Sequence, residues 1–334
     1  MNATFVAIAV QLVSTAAILF TALAPVRAVA TPQNLYVSTG VGSIEEIPPD
    51  FSFLPSFAFP LSNPRGLAFD SAGKLFVATT SINNSGVGTG TLLNFNSNGS
   101  RTTVGSVPGD TFLEGVAASN GNVFVMAQDN TSPNLASTIY RFDSSGGPPT
   151  PFGSFPGQGF GLEFNSAGNL FAAHFGQRQI FEFAPDGTRT LFATVGTIFP
   201  NGAITGPNDF AFDNSGNLFV TVEPSFAAPL TTPGEIIKIT PEGVQSVFAT
   251  ELPGNIFGLA FDMSGNLFVT DRAGQIFEFT PDGVETVLPF GLIDPTFLTF
   301  GPPSGRSVPD TGTTEMLLGI ALSGLGLLRR FVRQ

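Results

Sequence analysis

One phrase recurs through this chain and limits what it can fold into. Its cleanest copy reads Phe257-Gly-Leu-Ala-Phe-Asp262, then Asn266-Leu-Phe-Val-Thr270, then Ile276-Phe-Glu-Phe279. Short apolar runs are punctuated by Asp-x-x-Gly and Pro-Asp-Gly, the pattern of strand, tight turn and strand. Openings of the same kind stand at Pro64–Asp70, Leu113–Ala118, Phe160–Asn165 and Pro207–Asp213. Second strands follow at Lys74–Ala78, Asn122–Met126, Asn169–Ala173 and Asn217–Thr221, and third strands at Leu92–Phe95, Ile139–Phe142, Ile180–Phe183 and Ile236–Ile239. A fourth, such as Thr190–Ala193 or Ser246–Ala249, closes the unit. Four strands in about 48 residues mark a β-propeller blade.

Five units are complete, and the ends supply a sixth. Pro295–Phe300 reads as a first strand after which the pattern stops. Asn34–Val37 reads as a second strand with no first strand before it, with Ser43–Ile47 and Ser52–Phe59 as third and fourth. The expectation is an all-β, six-bladed propeller over residues 31–301, its last blade split between the two ends of the chain. Such closure removes exposed strand edges. It must hold by packing alone, because the chain has no Cys, and with no Trp and 36 Phe the bulky core surface is phenylalanine. The formal net charge of −12 argues against nucleic acid, whose phosphates call for Lys and Arg.

Both ends read as addresses. Residues 5–24 are almost wholly apolar, and Ala28-Val-Ala30 offers a small-x-small cleavage site. Residues 1–30 therefore read as a signal peptide for the Sec translocon, with a retained membrane anchor as the alternative. After a linker over 302–307 come Val308-Pro309-Asp310-Thr311-Gly312, an apolar stretch at about 314–328, and a basic tail over 329–334 with Arg329 and Arg330. The arginines would stay cytoplasmic. This order resembles the PEP-CTERM sorting signals handled by exosortases, in the variant built on Val-Pro-Asp-Ser-Gly, with Thr311 in place of Ser. The resemblance implies a Gram-negative exported protein. It would be held briefly in the inner membrane, processed by an exosortase-type enzyme, and passed to the cell surface or extracellular matrix.

The repeat phrase is similar to NHL repeats and to the SMP-30/gluconolactonase-like six-bladed propellers. That fold hosts enzymes and binding modules alike. The Asp-x-x-Gly turns read as turn chemistry rather than as calcium sites, since each offers a single carboxylate. Strand order places the starts of the first strands at one channel mouth, the top. There stand Arg65, Glu114, Phe160, Asn208 with Asp209, Phe257 and Thr296. The longer stretches Ser81–Gly90, Gln128–Ser137 and Glu223–Gly234 share that face and mark it as the binding face.

Gluconolactonase-like propellers hold a divalent metal with a Glu, an Asn and an Asp. By that resemblance Glu114, Asn208 and Asp209 would bind Ca, Mg, Mn or Zn and support hydrolysis, although Phe257 stands where the family carries a further acid. Arg65 paired with Glu114 is the alternative. His174, the one histidine, is either a packing residue or, by likeness to streptogramin lyases, a catalytic one. The reading that follows is an exported binding or structural module for a glycan, matrix or protein ligand. A metal-dependent lactonase-like hydrolase and a His174 lyase are the alternatives.

Overall fold

The computed structural model describes residues 33–304, apart from 53–54, 108, 110, 132–135, 226–231, 254 and 289. The expected signal peptide and the sorting segment over 308–334 lie outside the described residues. Among those described, every regular element is a strand and no helix is long and apolar enough to cross a membrane.

The strands form six antiparallel sheets arranged as blades. Blades 1 to 5 have four strands each, hydrogen-bonded in sequence order. Their first strands are Pro64–Phe69, Thr111–Ser119, Gly159–Phe164, Thr205–Phe212 and Ile256–Phe261. Blade 6 is split as the sequence suggests. Its inner strand Pro295–Gly301 pairs with Asn34–Thr39, which pairs with Ser43–Ile47. The fourth strand expected over Ser52–Phe59 is reduced to one bridge between Ile44 and Ala58. Pro48, Pro49, Pro55 and Pro60 remove the amide donors that a continuous ladder there would need.

Each first strand packs on the first strand of the next blade, and the sixth returns to the first. Gly66, Gly115, Gly161 and Gly258 make this approach feasible, because a Cβ at any of them would collide with the next blade. Further down the same strands the blades are joined by rings. Five pairs stand edge to face with centroids 5.0–5.2 Å apart: Tyr36–Phe69, Phe124–Phe164, Phe171–Phe212, Phe219–Phe261 and Phe268–Phe300. In each, a second-strand ring meets the first strand of the following blade. Such pairs add about 0.5–1.5 kcal/mol beyond the area they bury. Between blades 1 and 2, Phe76 and Ala118 take these places within one core cluster. Phenylalanine is thus the recurrent inter-blade mortar.

Blade 6 is also held by a buried carboxylate. Glu46 accepts hydrogen bonds from Asn34 Nδ2 (2.8 Å), Tyr36 Oη (2.9 Å) and the Ser304 amide (2.8 Å). The same Tyr36 hydroxyl lies 2.9 Å from the Pro302 carbonyl, so its one proton is shared between the two acceptors. The chain that leaves the last inner strand is thus tied to the strands from the other end of the sequence.

The tight turns use their acids internally. Asp70 Oδ1 accepts from the amides of Ala72 and Lys74, and Asp262 Oδ1 from those of Ser264 and Asn266. At the opposite face the stretch Ser81–Gly90 is a hairpin rather than a loop. Pairing runs on to Ile82 and Gly88, and blade 2 extends likewise to Asp129 and Ala136.

Candidate functional site

All six inner strands carry the same irregularity. Two first-strand residues oppose one second-strand residue at Arg65-Gly66, Glu114-Gly115, Phe160-Gly161, Asn208-Asp209, Phe257-Gly258 and Thr296-Phe297. Such a bulge re-aims side chains. In blades 1 to 5 it separates each pair of neighbours in function: the first residue goes to the channel mouth, and the second to the row where blades touch. In blade 6 the Thr296 hydroxyl turns to Ser38 and the Phe297 ring reaches toward the mouth. In blades 4, 5 and 6 the residue opposite the bulge carries a hydroxyl. Thr221 Oγ1 accepts from the Asp209 amide (3.1 Å) and donates to the Phe257 carbonyl of the next blade (2.6 Å). Thr270 accepts from the Gly258 amide and donates to the Thr296 carbonyl, and Ser38 accepts from the Phe297 amide.

The mouth is closed. Arg65 Nε sits 2.8 Å from Glu114 Oε2, with both side chains only 11% exposed. The Arg65 guanidinium lies 4.8 Å above the Phe257 ring and 5.6 Å from Phe297, while Phe160 and Phe297 stand edge-on to Phe257. Phe257 thus seats a cation, and Arg272 approaches the same ring at 6.0 Å while paired with Asp294 at 2.7 Å. Burial pushes the Glu114 carboxyl up, against the pull of Arg65 and Arg272. Glu223 joins this group. Burial raises it to about 7, against the side chain of Asn208 and the charges of Arg272 and Arg65. Asn208 itself is fully buried, and neither of its amide atoms has a partner in hydrogen-bond geometry. The Thr296 hydroxyl is spent on Ser38 Oγ, 2.9 Å away.

The expected Glu114, Asn208 and Asp209 set is not gathered into one place. Arg65 holds Glu114, and Asp209 belongs to the row below. Its Oδ2 accepts from the Leu259 amide (3.3 Å), and its other oxygen lies against Gly161. Among the described residues, no group of three or more His, Asp or Glu side chains is placed to hold a metal ion.

His174 is 1% exposed and lies between blades, with ring centroids 5.0 Å from Phe155 and 5.8 Å from Phe181. Burial, with Arg189 near, holds it down at about 4 against the side chain of Gln179. It is neutral at physiological pH and its geometry is that of a packing residue.

The open space is at the other end. A cavity of about 480 Å³ occupies the lower channel, beneath the mouth, between the lower halves of the inner strands. Residues two after the bulge line it: Ala68, Ala117, Glu163, Ala211, Ala260 and Thr299. Asp209 lines its upper part. Burial raises Asp209 to about 8, and the neighbouring charge of Glu163 adds to the rise against the amides of Phe210 and Leu259. Burial raises Glu163 to about 7. Glu163 and Arg272 are not among the candidate residues the sequence marks, and Glu223 is marked only as the start of a long connection. Glu163 had a signal, since it interrupts Gly-Leu-Ala-Phe where the other complete blades have Ala.

Comparison with known proteins now separates address from activity. Residues 307–330 match the VPDSG-CTERM motif. The chain therefore carries a PEP-CTERM-like sorting signal, consistent with an exported, cell-surface protein. No curated protein matches the chain. Among solved structures, a protein of unknown function from Bacteroides caccae aligns over 81% of this chain and 99% of its own, with TM-score 0.57 and 15% identity. A PQQ-bound aldose sugar dehydrogenase from Streptomyces coelicolor aligns over 85% and 97%, with TM-score 0.54 and 17% identity. An inactive virginiamycin B lyase variant from Staphylococcus aureus, solved with quinupristin, aligns over 72% and 77%, with TM-score 0.50 and 16% identity. These are likenesses of fold.

Proposed function

We propose that the protein is an exported propeller, delivered to the cell surface or matrix, that works there as a binding or structural module. The closed mouth carries this reading. Arg65, Glu114 and three phenylalanine rings fill the place where a substrate would meet catalytic groups. Beside the mouth, the hairpins of blades 1 and 2 extend on that face, which suits a glycan, matrix or protein ligand bound across loops rather than inside a pocket. The repeat phrase supports an NHL or SMP-30-like subtype.

The address and the binding role part company in one experiment. Deleting residues 308–334 releases the protein, unprocessed, to the periplasm or medium; unchanged surface retention would refute the sorting role. The released propeller, added back to matrix from cells lacking the protein, is expected to sediment with it. A propeller that stays in the supernatant leaves the address standing and removes the binding role.

One observation favours a metal-dependent hydrolase as a second reading: the fully buried amide of Asn208, which faces the Glu223 carboxyl but has no partner in good hydrogen-bond geometry. It requires Glu114 to exchange Arg65 for the ion. Its signature is thermal stabilisation by calcium, magnesium, manganese or zinc that Asn208→Ala abolishes. Absence of stabilisation by all four ions rejects it.

A further inference from the structure

The lower channel cavity is independent of the sorted-module reading. The two rows of the inner strands follow a rule with three exceptions. In the upper row, blades 1, 2, 3 and 5 place Gly66, Gly115, Gly161 and Gly258, and in the lower row Ala or Thr fills every blade but one. One exception is apolar, Phe297 in blade 6; the other two are acids, Asp209 in blade 4 and Glu163 in blade 3, on adjacent inner strands that pack together, and all three line the cavity. No Lys, Arg or His lines the cavity, and no ion pair reaches either acid among the described residues. Asp209 is 6% exposed and receives only backbone amides. Two carboxyls, the buried one of Asp209 and the partly buried one of Glu163, thus line one cavity from neighbouring strands without a countercharge among the lining residues. Burial of an unpaired charge is costly unless a partner arrives. At about 480 Å³ the space is of the size that small-molecule sites occupy.

We propose that the lower channel is a binding site for a small organic cation, with a primary ammonium group shared between the carboxyls of Glu163 and Asp209. The small Gly and Ala residues around the wall leave room for the aliphatic body. Phe297, in the upper row of blade 6, gives that body an apolar surface. Specificity against neutral molecules comes from charge alone, because both anchoring groups are acids.

The groups facing Asp209 are Glu163 from blade 3 and the amides of Phe210 and Leu259; Asp262 at the cavity rim already accepts from its own turn. A bound ammonium favours the ionised acids, so affinity rises as pH climbs from 6 to 8.5. Putrescine stays charged over that range, and 1,4-butanediol is its uncharged counterpart. Calorimetry on the intact propeller is expected to show putrescine binding that tightens at least tenfold between pH 6 and 8.5. Glu163→Gln and Asp209→Asn are each expected to weaken it at least tenfold at pH 8.5, with thermal melts confirming that both variants fold. Butanediol should not bind. Putrescine binding that survives both substitutions, equal binding of the diol, or no binding at pH 8.5 overturns the proposal.

Discussion

The two ends of the channel are built from the same six strands and solve the problem of buried charge in opposite ways. At the top, Glu114 is matched by Arg65, and the guanidinium is seated on Phe257. At the bottom, Glu163 and Asp209 face each other's charge with no base in reach, beside open space. The top is a finished plug, complete within the chain. The bottom is a pair of acids without a base, with a cavity next to it, and it is there that a ligand would complete the structure. Sequence position alone points the other way, since the variable connections crowd the top.

Breaking the plug should give the larger effect. Arg65→Met leaves Glu114 buried and unpaired, which costs about 3–5 kcal/mol. The double variant Arg65→Met with Glu114→Leu should recover most of that loss in urea melts. A single variant that costs below about 1 kcal/mol would mean that solvent reaches Glu114 and that the mouth is not closed.

A smaller effect sharpens the lower end. The unfolded chain releases the Asp209 proton near 3.8, the folded chain at about 8. Protonated Asp209 therefore favours the folded state. Its contribution is fully present below pH 3.8 and is lost as pH rises through about 8. Glu163 and Glu223 act in the same sense but finish near 7. His174 acts oppositely: its contribution is present above 6.5 and lost as pH falls through about 4. Above pH 7 the decline thus belongs chiefly to Asp209. The melting temperature should fall by a few degrees between pH 7 and 8.5 in the wild type and stay flat in Asp209→Asn. A fall that persists in the variant would place the ionisation elsewhere.

Much of the fold could be read from residues in order. The repeat phrase located every inner strand, and the split blade followed from a first strand without successors and a second strand without a predecessor. The outer edge of blade 6 departs from the pattern, because the apolar residues of Ser52–Phe59 look like a strand while the surrounding prolines prevent a ladder. The site was less legible. Asn208 and Asp209 are adjacent in sequence and read as one ligand pair. The bulge sends them to different rows, and a bulge is visible only in the pairing of two strands. Glu223 reaches the mouth from the second strand of blade 4 and Arg272 from the turn that follows the second strand of blade 5, with no local pattern to mark them. Glu163 was legible as a break in the repeat, although its meaning depended on which face of the strand lined the channel.

The sequence by itself determined the blade count, the closure of the ring from both ends, the turn chemistry and the sorting signal. Each rests on short-range periodicity or on a contiguous motif, which is why a single pass along the chain suffices. Only the tertiary structure decided that the mouth is closed and the lower channel open, that Phe257 seats a cation, and that His174 is packed among rings. Those outcomes depend on side chains from blades far apart in sequence meeting around one axis. Whether a buried acid is matched or left alone is settled by what the next blade brings to it.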